Sequence, residues 1–87
     1  MWINKEGGGL INLDRCERII IFKNPSKSVC RIDIAFPMEG NVTTLCNNLT
    51  EEQVKKAINM ISESLGRGFY IVNIQWDNLK GMVKKKV

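Results

Sequence analysis

Apolar and polar residues repeat with a helical period in one stretch of the chain and alternate as in strands in most of the rest. From Leu49 to Gly66 the pattern is that of a helix. Thr50 and Gln53 form a capping box, with Leu49 and Val54 as a hydrophobic staple around it. Glu51 and Glu52 lie where the helix dipole favours negative charge. Val54, Ala57, Ile58, Ile61 and Leu65 share one face, and Gly66 supplies a left-handed stop.

The other regular segments read as strands. Met1 to Asn4 and Leu10 to Leu13 flank Lys5-Glu6-Gly7-Gly8-Gly9, which predicts a hairpin turn. Asp14-Arg15 breaks the pattern. Glu17 to Lys23 is strongly strand-forming, and its run Ile19-Ile20-Ile21-Phe22 predicts burial on both faces or a central place in a sheet. After the turn residues Asn24 to Ser28, Val29 to Phe36 alternates cleanly. Cys30, Ile32, Ile34 and Phe36 fall on one face, Arg31 and Asp33 on the other. A turn at Pro37-Met38-Glu39-Gly40 leads to a strand from Val42 to Cys46. Beyond the helix, Tyr70, Val72, Ile74 and Trp76 alternate with Asn73 and Gln75 and predict a half-buried last strand, Phe69 to Trp76.

The expected fold is therefore α+β: an antiparallel meander sheet of five to six strands, one helix (about 50–65) packed on one face, and a final strand. Residues 1–79 form a single domain and 80–87 a basic flexible tail. Ile19, Ile21 and Val29 are alternates to the apolar set, so the second sheet face is not wholly polar. Either the sheet curls into a partial barrel or that face meets another molecule.

Gly9-Leu10-Ile11-Asn12-Leu13-Asp14 and, after a short break, Ile19-Ile20-Ile21 resemble a group of small, mostly uncharacterised bacterial and phage proteins. In these a "LINLD"-type strand pair precedes a meander and an acidic-capped helix. Leu49 to Gln53 and Ala57-Ile58 continue the likeness over most of positions 2–74. The resemblance implies a pleckstrin-homology-like curled sheet with a helix packed on it, and it brings no catalytic residue. The strand after the helix and the lysine tail depart from it.

Charge narrows the reading. The net charge is +4, but Lys80, Lys84, Lys85 and Lys86 lie in the last eight residues; the remainder holds nine basic and nine acidic residues. A balanced body does not favour a phosphate-binding face. No secretory leader or membrane-length apolar run is seen, so a cytoplasmic location without membrane contact is expected. Cys16, Cys30 and Cys46 form no C-x-x-C pair and the chain has no histidine, so reduced cysteines packed as small hydrophobes are expected, and no metal.

Catalytic chemistry finds little support. Gly7-Gly8-Gly9 is followed by Leu10-Ile11, not by the lysine, hydroxyl and helix start of a phosphate loop. Ser26, Ser28, Ser62 and Ser64 have no histidine to act as base. Asp14, Glu17 and Asp33 lie near Arg15, Arg18 and Arg31, which predicts cross-strand ion pairs. The sequons at Asn41 and Asn48 matter only in a secretory pathway.

The expectation is a non-enzymatic binder without cofactor, acting on a protein partner and self-associating as a homodimer through a sheet face or edge. Its size and style are similar to those of phage or mobile-element inhibitors of host defence, anti-CRISPR proteins among them. The partner-binding candidates are Trp2, Arg15, Arg18, Phe22 and Arg31, with Lys84, Lys85 and Lys86 of the tail as accessories. Trp76 is expected in the core, and Trp2 either over the core or against a partner. The alternative is a nucleic-acid-binding module using the Arg15/Arg18/Arg31 face with Phe22 as a stacking platform.

Overall fold

The computed structural model describes residues 1–37, 40 and 42–84, the last three by their backbone alone. Met38 and Glu39 of the expected turn, the sequon residue Asn41, and Lys85 and Lys86 lie outside the described residues. The strands are β1 (Trp2–Asn4), β2 (Leu10–Asn12), β3 (Arg18–Asn24), β4 (Val29–Ala35), β5 (Val42–Leu49) and β6 (Ile71–Val72). The helices are α1 (Glu51–Gly66) and α2 (Trp76–Lys84), with a short 3-10 turn at Leu13–Arg15.

The class is α+β, but the expected single meander is two three-stranded sheets, ordered β2-β1-β6 and β3-β4-β5. The second is antiparallel throughout; in the first, β6 returns from α1 to run parallel to β1. Glycine makes the β1–β2 turn, because Gly7, Gly8 and Gly9 all take φ near +100° (89°, 109° and 96°), where a side chain is strained.

One core joins both sheets to α1. Cys30, Ile32 and Ile34 of β4 meet Leu45, Cys46 and Leu49 of β5 beneath Val54, Ala57 and Ile61 of α1, with Ile3, Ile11 and Val72 from the other sheet. Ile3, Ile32, Ile34, Leu45 and Leu49 are fully buried, and each such side chain contributes roughly 1.5–3 kcal/mol of transfer free energy.

The capping box at the start of α1 forms in full: the Gln53 amide donates to Thr50 Oγ1 at 3.1 Å, and the Thr50 amide to Gln53 Oε1 at 2.9 Å. The same buried Gln53 side chain donates from Nε2 to the Lys80 carbonyl at 3.0 Å, tying α2 to the first turn of α1. The helix stop lies two residues beyond Gly66. Gly68 takes φ +72°, its amide bonds the Leu65 carbonyl and the Phe69 amide bonds the Ser64 carbonyl, the Schellman arrangement. Leu65, expected in the buried stripe, is exposed.

Three further expectations are corrected. β3 is an edge strand, not a central one, because β4 takes the middle of its sheet and leaves Ile21 and Phe22 exposed. Ile19 and Ile21 pair with Ile34 and Ile32, so they share the core face; the opposite face carries Arg18, Ile20, Phe22, Arg31 and Asp33. The last strand shrinks from Phe69–Trp76 to Ile71–Val72, and α2 takes in Trp76, expected to end that strand, residues 77–79, and residues 80–84 of the expected flexible tail. Trp76 and Leu79, three residues apart, bury one face of that helix. Among the described residues no helix is long and apolar enough to cross a membrane.

Candidate binding surface

The outer face of the β2-β1-β6 sheet carries Trp2, Leu10 and Ile71 beside Asn4 and Asn12. Trp2 pairs with Ile71 in the parallel ladder, and the Trp2 amide donates to the Tyr70 carbonyl at 2.7 Å. Leu10 lies on the same face, two residues from Asn12, which is paired with Trp2. Beneath them Ile3, Ile11 and Val72 fill the core, so the period of two leaves their neighbours facing water. Trp2 is 44% exposed, Phe69 52%, Ile71 58% and Tyr70 85%, values far above those of core aromatics.

Phe69, Tyr70 and Ile71 were not among the residues singled out by sequence. Tyr70 is in phase with Val72, Ile74 and Trp76, so alternation placed it inside. The Schellman turn at Gly68 ends only one residue before Tyr70, and the ladder with β1 starts at Ile71, so Tyr70 precedes the paired segment. The signal was Gly68 itself, a turn residue too close to Tyr70 for a strand to begin there.

Trp2 and Arg15 are brought together. Both line a cleft of about 400 Å³ between the two sheets, with Lys5, Leu10, Phe36 and Pro37 also on its walls. Phe22 and Arg31 form a second pair on the outer face of β3 and β4. The Arg31 guanidinium carbon lies 4.7 Å from the centroid of the Phe22 ring. Arg31 Nε also donates to Asp33 Oδ2 at 3.0 Å, and Thr44 Oγ1 donates to Asp33 Oδ1 at 3.0 Å. The ion pair therefore runs along one strand, two residues apart, where cross-strand pairs were expected, and Asp33 is buried. Arg18 lies on the Phe22 face of β3, opposite Ala35, away from Trp2. The five candidates thus fall on two surfaces. Lys84 ends α2.

At the opposite end of β1, Glu6 and Lys80 form an ion pair beside Cys46. Burial raises the Glu6 carboxyl, but the hydrogen bond and charge of Lys80 outweigh it and hold the group below its ordinary value. Burial, then the Glu6 charge, pushes the Cys46 thiol up to about 12. All three cysteines are free, with Cys30 and Cys46 buried and Cys16 half-buried. A thiol reagent at pH 8 is expected to label Cys16 alone in the native protein, slowly because burial and the Asp14 charge raise its thiol, and all three cysteines in denaturant. Rapid native labelling of Cys46 would contradict this placement. Among the described residues no three histidine, cysteine, aspartate or glutamate side chains gather as a metal site.

Compared with the models of protein families, with curated proteins and with solved structures, the chain matches none.

Proposed function

We propose that the chain is a non-enzymatic binding domain that works by protein–protein contact through the outer face of the β2-β1-β6 sheet. The observation that carries this reading is the exposed pair Trp2 and Ile71 on hydrogen-bonded neighbouring strands, with exposed Phe69 and Tyr70 in the segment that leads into β6. Contiguous apolar surface of this kind marks sites where a partner excludes water. Tryptophan and tyrosine are over-represented among residues that dominate binding energy, since they bring a large rigid area at small entropic cost. The inhibitor role expected from the sequence is one setting for such a contact, supported by the small size and electrically balanced body of the chain.

The nucleic-acid alternative draws less support. Arg31 already lies over Phe22 and is paired with Asp33, so part of the basic face is neutralised within the fold.

The test begins with capture from a nuclease-treated extract of the native host, followed by titration of the purified captured protein. Phe69→Ser/Tyr70→Ser is expected to weaken that titration at least about tenfold while leaving the melting temperature unchanged, because both residues are exposed. Binding lost on nuclease treatment, or indifferent to the double substitution, would overturn the reading.

A further inference from the structure

We infer that β3 is a self-association edge: it pairs antiparallel with β3 of a second copy, about a two-fold axis at Ile20, joining two three-stranded sheets into one of six. This rests on the reading of the chain as a protein-binding domain and adds a second copy as a partner on a different surface.

The edge is open, and its centre is uncharged. Among the described residues no strand pairs with the outer side of β3, seven residues long. The β5 edge differs, because the Leu45 carbonyl accepts from the Glu6 amide. Exposed edge strands are commonly blunted by a proline, a bulge, charged side chains or a covering element. The middle of β3 is Ile19-Ile20-Ile21-Phe22, β-branched and aromatic, with charges only at its ends.

Those end charges choose the partner and the register. In an antiparallel pair, residues directly opposite project from the same face. An axis at Ile20 sets Glu17, the residue before β3, whose amide continues the ladder to the Ala35 carbonyl, against Lys23, Arg18 against Phe22, and Ile19 against Ile21, each twice by symmetry. Glu17 and Lys23 are exposed, so both remain available to the second copy although Lys23 also meets Glu51. An axis at Ile21 sets Lys23 against Ile19 and Arg18 against Asn24. One at Ile19 sets Glu17 against Ile21 and Arg18 against Ile20. Only the Ile20 register matches opposite charges at both ends and keeps isoleucine on isoleucine between them.

Sedimentation equilibrium of the full chain, carried to high concentration, tests this. The expected mass is that of two 9.9 kDa chains. Glu17→Lys places lysine against lysine at both ends and is expected to weaken the dimer roughly 30-fold. Adding Lys23→Glu restores opposite charges and is expected to return the affinity to within a few-fold, with circular dichroism confirming that each variant folds. A monomer at every concentration, no effect of Glu17→Lys, or a folded double variant that stays monomeric would each overturn the inference. So would a Phe69→Ser/Tyr70→Ser variant that becomes monomeric, since the second copy would then sit on the aromatic face. A dimer that persists while the captured partner ignores the aromatic substitutions supports the β3 pairing and removes only the proposed role of that face.

Discussion

Replacing Asn4 by alanine is expected to destabilise the domain by about 3 kcal/mol and to lower its melting temperature by roughly 15 °C. Asn4 Nδ2 donates to the Ile74 carbonyl at 2.8 Å, while the Ile74 amide donates to Asn4 Oδ1 at 2.7 Å. The side-chain amide thus takes both polar groups of one residue, as a neighbouring strand would. The Asn4 carbonyl accepts from Trp76 Nε1 at 3.1 Å, so one residue of β1 holds the whole approach to α2. Ile74 is buried, and alanine at position 4 leaves its amide unpaired away from water and its carbonyl with only the Trp76 amide, 3.1 Å away. The orphaned amide costs about 1–3 kcal/mol and the lost bond to the carbonyl about 1 kcal/mol more, against a total stability of roughly 4–13 kcal/mol for a chain of this length. Asn4→Asp is expected to do no better, because it removes the donor and sets a carboxylate against the Ile74 carbonyl. Urea denaturation measures the loss. Hydrogen exchange is expected to show α2 amides opening more readily while β4 stays protected. A loss below about 0.5 kcal/mol would show that the pairing of Ile74 with Asn4 is dispensable.

Asn4 also explains why the C-terminal part of the fold was hard to read from the chain. Alternation over Tyr70, Val72, Ile74 and Trp76 reports which residues face inward, and three of the four do. It does not report what pairs with the backbone. A strand partner exists only for Ile71 and Val72; a side chain seventy positions earlier serves Ile74, and the chain is then released into α2. The same distinction accounts for β3. Four consecutive apolar residues imply a central strand when burial is supplied by neighbours on both sides, yet β4 holds that position and β3 is left at the margin. By contrast α1 and β4 were legible because their signals are local. Thr50 and Gln53 cap each other without outside help, and Cys30, Ile32 and Ile34 bury one face whichever strands flank them. The binding candidates divide likewise. Trp2 was found because tryptophan stands out in composition, whereas Tyr70 was assigned inward by a period that held only from Val72 onward.

Arg31→Met is expected to cost about 2–3 kcal/mol, more than the usual surface ion pair, because of what it leaves behind. The Asp33 side chain is only 4% exposed, while that of Arg31 is 41% exposed. With the guanidinium gone, the buried carboxylate keeps a single neutral donor, Thr44 Oγ1. Water reaching the arginine side of the pair tempers the penalty, which is why it falls short of that for a fully enclosed pair. The contact with Phe22 contributes a smaller part, roughly 0.5–1 kcal/mol, and Phe22→Leu measures it separately. Arg31→Lys is expected to recover the charge but not the Nε bond to Asp33 or the flat stacking on the ring, so it falls between the two. The decisive comparison is the double variant Arg31→Met/Asp33→Val. Removing both charges from a face already lined by Ile20 and Phe22 eliminates the stranded carboxylate, and valine suits a central strand. The double variant is therefore expected to be more stable than Arg31→Met alone, although it carries one more substitution. Were it less stable than the single variant, the cost would lie in lost attraction and not in a buried charge left without its partner.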